Sequence, residues 1–276
     1  MAPPDPGVHH GLDIDWLREA SVRDPVGHAF ALWDAWQDPG RTRFVRYDGA
    51  NGERSYLLLW YGDPSHPVVH WVGEAPGDLV LLTEVPPETK IALVPERIVA
   101  PLRLRWPGAV SEPVLLLSLP GPPTGPDPPA ERCRRLRASD RVRIAEFAES
   151  YPDRLTESYR TIDLDRAFAW GAFEGAELVG VARATVALPA TWIIGGVYVL
   201  AARRRRGHGR DLMVRASRDA ILAGARPGLF VREPNRDATR LYESLGYRRV
   251  ARRGWVEFSP TPGGPGARTG SPVEGP

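Results

Sequence analysis

The sequence predicts an α+β protein with mixed sheets, built in two halves. Three observations carry this. Apolar residues at helical spacing alternate along the chain with short runs of β-branched and aromatic residues. Each half contains two such runs around a turn, which reads as a hairpin. A proline-rich stretch, Pro120-Gly-Pro-Pro-Thr-Gly-Pro-Asp-Pro-Pro129, stands between the halves. It offers few backbone donors and suits neither a helix nor a central strand, so residues 120–130 are expected as a stiff linker. The expected divisions are a disordered segment 1–11, an α+β domain 12–119, a second domain 131–258 and a disordered Gly/Pro/Ser tail 259–276.

In the first half, Leu12 to Ala20 reads as a short helix, with Asp13 and Asp15 near its start. Asp24 and Pro25 open another, as N-cap and first helical residue, and Val26, Phe30, Leu32, Trp33 and Trp36 supply its apolar positions. Arg43–Tyr47 and Tyr56–Tyr61 flank Asp48-Gly-Ala-Asn-Gly52 as a hairpin. Val68–Val72, Leu79–Glu84 and Val114–Leu119 read as strands, and Lys90–Ala100 as a helix interrupted by Pro95. In the second half, Arg132–Leu136 reads as a strand. Ser139 and Asp140 cap a helix carrying Val142, Ile144, Phe147 and Ala148, and a further helix covers Thr156–Phe168. Phe168–Phe173 and Leu178–Leu188 form a hairpin around Glu174-Gly-Ala-Glu177. Then come strand Trp192–Leu200, helix Asp211–Ala223, strand Leu229–Arg232, helix Asn235–Leu245 and closing strands over Tyr247–Phe258.

The stretch from Val197 to Arg210 concentrates the chemistry. An apolar strand enters the arginines Arg203 to Arg206, then Gly207-His208-Gly209, then a helix. Glycines allow close backbone approach, a helix start presents unpaired N–H groups and a positive dipole end, and arginine adds charge suited to phosphate. A phosphorylated ligand is expected here. A Rossmann fingerprint does not fit, because Leu212 stands where its third glycine belongs, and a Walker loop does not fit, because the lone lysine, Lys90, lies elsewhere.

Arg204-Arg-Arg-Gly207-His-Gly209 reads R-x-x-G-x-G directly after a strand. It resembles the acetyl-CoA pyrophosphate loop of the GCN5-related N-acetyltransferase (GNAT) superfamily. Asn235-Arg-Asp-Ala238-Thr-Arg-Leu241-Tyr242-Glu-Ser-Leu245-Gly246-Tyr247 is similar to that family's N-x-x-A-x-x-L-Y-x-x-x-G-F/Y helix. The resemblance implies a GNAT fold over residues 131–258, in the order β-α-α-β-β-β-α-β-α-β. Asp24-Pro-Val-Gly-His-Ala-Phe30 resembles the opening of tandem, FR47-like members. The first half has neither motif, which implies a degenerate GNAT-like copy that no longer binds acyl-CoA; an unrelated α+β domain is the alternative.

The resemblance also implies site roles. Main-chain groups of Val197 and Val199 would pair with pantetheine, and the pyrophosphate would rest on backbone N–H groups around Arg204, Arg205, Arg206, Gly207, His208, Gly209 and Arg210. His208 then serves as a loop spacer. Asn235 would cap its helix and bond the pantetheine arm, and Tyr242 would protonate the leaving thiolate. Many members carry a glutamate on the strand before the loop as base, but Thr191-Trp-Ile-Ile-Gly-Gly196 has no carboxylate. Glu233, after the following strand, is the nearest substitute, while Glu174 and Glu177 are expected solvated on their turn.

The resulting expectation is an N-acetyltransferase taking acetyl-CoA and an unidentified amine, with no metal. The alternative is a CoA-binding sensor without catalysis. A net charge of +2 argues against a nucleic-acid partner, and the arginine run as a nucleic-acid patch is the third reading. Cys133 is the lone cysteine, and His66 and His70, separated by Pro67, lack a third ligand. No leader pattern and no membrane-length apolar run is read, so a cytoplasmic protein is expected. The oligomeric state is left open.

Overall fold

The computed structural model describes residues 7–11, 13–62, 66–150 and 159–258. It contains two compact units: one reaches Leu116 and includes the stretch from Ala251, the other runs from Leu117 to Val250. The tail 259–276 and the start of the helix read over Thr156–Phe168 lie outside the described residues.

The first unit runs β1 (Gly7–His10), α1 (Ile14–Arg23), α2 (Ala29–Gln37), β2 (Thr42–Asp48), β3 (Arg54–Trp60), β4 (Val68–Gly73), β5 (Ile91–Pro95), α3 (Glu96–Arg105) and most of β6 (Val110–Ser118). Asp13 starts α1 as read, its side chain accepting from the Trp16 N–H at 2.9 Å. The hairpin β2–β3 forms, and β3 is buried continuously from Ser55 to Leu59, as a strand covered on both faces should be. Strands β1 to β4 pair antiparallel, and β4 pairs parallel with β5 from Val68–Ile91 to His70–Leu93.

Four local readings differ. Gly7–His10, expected disordered, pairs with β2. Helix α2 starts at Ala29 rather than Pro25, because residues 24–28 form a turn in which Asp24 accepts from the Gly27 N–H at 2.9 Å. Asp78–Glu84 is a 3₁₀ turn and not a strand: the Asp78 carboxylate is buried and held by the Arg97 guanidinium, at 2.7 Å to one oxygen, and by the Trp71 indole at 3.3 Å. Lys90–Ala100 divides at Pro95 into β5 and α3, since the residue before proline is driven to extended backbone.

The second unit runs β7 (Cys133–Arg135), α4 (Arg141–Ser150), β8 (Ala169–Glu174), β9 (Glu177–Ala187), β10 (Thr191–Val199), α5 (His208–Leu222), β11 (Arg226–Arg232), α6 (Arg236–Ser244) and the start of β12 (Arg248–Glu257). Residues 161–168, read as helix, are turns and irregular chain. Strands β7 to β10 pair antiparallel, and β10 pairs parallel with β11. Leu136, Ile144, Phe147, Tyr159, Val181 and Tyr198 pack together beneath this sheet. The strand order of the second unit thus repeats that of the first: antiparallel strands, then one parallel strand, a helix and a closing strand.

The closing strand departs from the expected 131–258 division. Residues Arg253 to Glu257 of β12 pair antiparallel with Pro95 to Ile91 of β5, within the first unit. Directly after β6, Leu119 donates its N–H to the Pro227 carbonyl of β11 at 2.9 Å, within the second.

Residues 120–130, read as a spacer, are fastened to the second unit. Helix α5 turns three arginines onto them: Arg210 donates to the Thr124 carbonyl (2.8 Å), Arg218 to Gly125 (2.7 Å) and Arg215 to Pro128 (3.0 Å). Prolines leave carbonyls without a ladder partner, and the guanidinium groups fill that vacancy. Among the described residues no helix is long and apolar enough to cross a membrane.

Asp140 ties β7 to the start of α4. Its buried carboxylate accepts two N–H groups of Arg134, both at 2.8 Å, and the Arg137 backbone N–H at 2.9 Å. The Arg134 bond, with Arg137 and the nearby Arg143 assisting, holds its carboxyl below the usual value. A depressed folded-state value stabilises above the unfolded value of about 4 and is lost as pH falls through the lower one. Asp140→Asn is expected to cost roughly 1–3 kcal/mol at neutral pH and to flatten the acid limb of stability below about pH 4. Urea midpoints across that range check both; an acid limb identical to wild type would contradict the assignment.

Candidate active site

The site begins where β10 and β11 part. Their parallel pairing covers Thr191–Arg226, Trp192–Pro227 and Ile193–Gly228 and then stops, although β10 continues to Val199 and β11 to Arg232. On its other edge β10 pairs with β9, with an irregularity between Gly195 and Tyr198 where Gly196 takes φ +59. Leu200 donates its N–H to Val179 of β9. By alternation from Leu200, the N–H and C=O groups of Val199 turn away from β9, toward the open side, while Val197 lies within the irregular stretch.

Beyond β10 a 3₁₀ turn over Ala201–Arg203 leads to Arg204–Arg206, then Gly207 and α5. Gly207 has φ +89, the left-handed conformation that glycine adopts without penalty. Gly209 is different: a Cβ added there would meet nothing nearer than Leu241 Cδ2 at 3.5 Å, so the fold itself makes no demand for glycine. The backbone N–H groups of Arg205, Arg206, Gly207, His208, Gly209 and Arg210 find no protein acceptor among the described residues; Asp211 is the first to bond back, to the Gly207 carbonyl at 3.0 Å. They form a cluster of donors at the positive end of a fifteen-residue helix.

The arginine side chains have other work. Arg204 donates Nε–H to the Val199 carbonyl at 3.1 Å, which occupies one of that carbonyl's two acceptor positions. Arg206 reaches Glu174 at 3.3 Å, and Arg203 reaches Glu177 at 2.7 Å. Arg210 is taken by Thr124. Arg132 bonds the Arg206 carbonyl at 2.6 Å and pairs with Asp211. Of the run, Arg205 is exposed with φ +62 and carries no polar side-chain contact among the described residues.

Glu174 and His208 correct the sequence reading. His208 is buried and its Nε2 meets Glu174 Oε1 at 2.8 Å, so it is an anchor under the loop and not a spacer. Glu174, expected solvated, gathers His208, Arg206 and Arg203; the His208 bond first, then the two arginines, hold its carboxyl below the usual range.

Asn235 caps α6 as read: its side-chain oxygen accepts from Ala238 N–H at 3.1 Å, and its carbonyl accepts from the Thr239 hydroxyl at 2.9 Å. Tyr242 is buried on α6, 6.1 Å from the Tyr247 ring. The Tyr247 hydroxyl is bonded to Ser217 (2.8 Å), whereas the Tyr242 hydroxyl has no hydrogen-bond partner among the described residues. Burial pushes the Tyr242 phenol up to about 12. Glu233 is half-buried on the turn between β11 and α6, beyond the point where β11 has left β10.

Two further groups carry no signal in the sequence. Tyr159 donates its hydroxyl to the Gly196 carbonyl at 2.7 Å, directly at the irregularity in β10. The Arg183 guanidinium lies 5.4 Å over the Tyr159 ring, with its Nε buried and unbonded. No motif marks them, because their partners lie in other strands. No cluster of metal-ligating residues occurs among the described residues.

Loss of the Glu174 anchor should loosen the loop. Glu174→Ala leaves the buried His208 imidazole without its carboxylate. Faster amide hydrogen exchange is expected at Asp211 and Leu212, in the first turn of α5, with β8 and β9 unchanged. Equal exchange at those positions in variant and wild type would remove the anchoring role.

Residues 134–247 match the family model described as Acetyltransferase (GNAT) family. A search of proteins with curated descriptions finds no match. Solved structures share the fold. A Drosophila protein is 17% identical over 92% of this chain and 98% of its own, with a TM-score of 0.65. A GCN5-related N-acetyltransferase from Kribbella flavida is 18% identical over 87% and 95%, with a TM-score of 0.57. One from Sphaerobacter thermophilus is 16% identical over 93% and 96%, with a TM-score of 0.56. At these identities the likeness is one of fold. Together with the loop after β10 and the capped helix α6, the family match over 134–247 makes this part of the chain a domain of the GNAT superfamily.

Proposed function

We propose that the second unit transfers an acyl group, acetyl in the first instance, from acyl-CoA to a primary amine. The observation that carries the reading is the donor cluster. Six consecutive N–H groups from Arg205 to Arg210 lack protein acceptors and sit beside the backbone edge that β10 leaves open after Ile193. Arg205, Arg206 and Gly207 are exposed, but His208 is buried and Gly209 and Arg210 are half-buried, where donors are normally paired. A pyrophosphate would pair several at once, with the dipole of α5 adding to the attraction. The glycine at 209, for which the fold has no use, leaves room for that approach. The main-chain groups of Val197 and Val199 remain for the pantetheine arm.

Acyl-CoA supplies an activated carbonyl and a thiolate leaving group. The amine nitrogen bonds the carbonyl carbon, the carbon–sulfur bond breaks, and one proton passes from nitrogen to sulfur in net terms. Tyr242 is suited to the sulfur end: burial keeps its phenol protonated and its hydroxyl is uncommitted. Glu233 takes the role of base at the amine, directly or through water, and an amine that arrives neutral needs none. Asn235 sets the start of α6 and so the placement of Tyr242.

A CoA-binding module without turnover is the second reading, favoured by the absence of any carboxylate along β10. A nucleic-acid patch is disfavoured, because Arg203, Arg204, Arg206 and Arg210 already bond protein groups. For the first unit we adopt the degenerate-copy reading, on the shared strand order.

Calorimetric titration of acetyl-CoA tests the cluster. Wild type is expected to bind, and Gly207→Glu and Gly209→Glu to lose at least about tenfold in affinity, as charge enters the cradle. The second variant avoids the left-handed backbone and so controls for strain. No binding to wild type would overturn the reading. Tyr242→Phe is expected to lower kcat by roughly 10²-fold with little change in KM for acetyl-CoA. Because its raised value means that ionisation begins only toward about 12, no alkaline fall in rate is expected from Tyr242 at lower pH. Unchanged turnover in Tyr242→Phe would leave the binding module as the better account.

A further inference from the structure

The first unit holds a cavity of about 460 Å³ that the acyl-transfer reading does not use. It lies among α1, the turn after it, β3, the end of β4 and Arg253 of β12. Small-molecule sites span about 300–1,000 Å³. Its position comes from the repeated topology. Strands β4 and β5 pair for three residues and then part, as β10 and β11 do, and the cavity opens at Val72 and Gly73, just past the parting.

One half of the equivalent cleft is built differently. Gly77 has the same backbone angles as Gly207, φ 89 and ψ −4. The next residue is Asp78, whose buried carboxylate takes the Arg97 guanidinium and the Trp71 indole N–H. Here the glycine is followed by an acid, and the Asp78 and Val80 N–H groups bond the Ala75 and Gly77 carbonyls, so this turn lacks the run of free donors found after β10.

The open half carries balanced charge against an aromatic wall. The Arg253 side chain makes no hydrogen bond or ion pair among the described residues, and burial pulls its guanidinium below its usual value. Asp24 and Glu74 lie close enough to act on it electrostatically. Trp16 and Tyr56 meet edge to face at 5.6 Å. His28 bonds the Tyr56 hydroxyl at 2.8 Å and is pushed down to about 4, chiefly by burial, so it adds no charge near neutral pH. A partly buried cation is costly until it is paired. A simple anion there would face Glu19, Asp24 and Glu74, and a simple cation would face Arg23, Arg54 and Arg253. A molecule carrying both charges meets both.

We propose that this cavity is a second ligand site, separate from the acyl-CoA loop, for a small zwitterion of the amino-acid class. Its carboxylate pairs with Arg253, its ammonium lies toward Asp24 and Glu74, and its side chain covers Trp16.

The test is ligand-observed NMR on the full chain with the proteinogenic amino acids as probes, followed by titration of the tightest. Saturable binding of at least one is expected. Its methyl ester and its deaminated acid should each bind about tenfold more weakly, as one charge-assisted partner is lost. Arg253→Met and Glu74→Gln should weaken it similarly, and Trp16→Leu should weaken it without altering any charge, each checked for folding by its thermal melt. Gly209→Glu, which disables the acyl-CoA loop, should leave it unchanged, so failure of acetyl-CoA to bind does not decide this site. The proposal is overturned if no amino acid saturates, if ester or acid binds as well as the zwitterion, or if the folded variants among Arg253→Met, Glu74→Gln and Trp16→Leu bind as wild type does.

Discussion

Backbone pairing between β10 and β11 ends at Ile193–Gly228, and the site exists because it ends there. A strand edge deprived of its neighbour must satisfy its polar groups in another way. Part of this edge is served by side chains: the Tyr159 hydroxyl takes the Gly196 carbonyl, and Arg204 takes the Val199 carbonyl. The remaining groups face open space beside the N-terminus of α5. Had the ladder continued toward Arg232, the cleft would be closed by the protein's own hydrogen bonds. The left-handed turns at Gly196 and Gly207 belong to the same constraint, since they bend the chain out of the ladder and then into the helix.

The loop is held from beneath by charge. Glu174 collects His208, Arg203 and Arg206, and Arg132 bonds the carbonyl of Arg206. Exposed ion pairs contribute little singly, but here a buried imidazole and several guanidinium groups share one carboxylate. A run of arginines that invites a reading as a phosphate clamp is therefore largely scaffolding. It frees the backbone N–H groups, whose positions depend on φ and ψ and not on side-chain rotamers, to be the anion-binding surface. The arginines of α5 play a similar part toward residues 124–128, turning a proline-rich connector into a fixed strap.

The two units solve one topology with opposite electrostatics. Both bring four antiparallel strands to a parallel partner that soon diverges, and both turn at a glycine with φ 89. In the second unit free N–H groups come after that glycine; in the first, a buried aspartate does. One arrangement leaves a run of donors open; in the other the acid after the glycine is taken by Arg97 and Trp71. One strand order thus serves a unit that carries the GNAT motifs and a unit that carries a charged, aromatic cavity.

What was legible in the sequence was local. The Asn235 cap, the apolar spacing of α6 and the hairpins β2–β3 and β8–β9 each depend on residues a few positions apart, and each is found where it was read; α5 begins at His208, ahead of the Asp211 read for it. What the sequence left undecided, or misled on, depends on distant partners. Leu79–Glu84 has strand-like composition, yet the burial of Asp78 against Arg97 bends it into a 3₁₀ turn. Glu174 looks like any turn glutamate until His208, thirty-four residues away, is folded beneath the loop. Tyr159 becomes part of the site only through the carbonyl of Gly196, and β12 finds its partner in β5 across most of the chain. Backbone propensity and hydrophobic period are properties of a short window, so the sequence by itself determined the motif-bearing loop and helix. Which side chains hold them, and which strand closes each sheet, was decided by hydrogen bonds and burial that only the tertiary structure brings together.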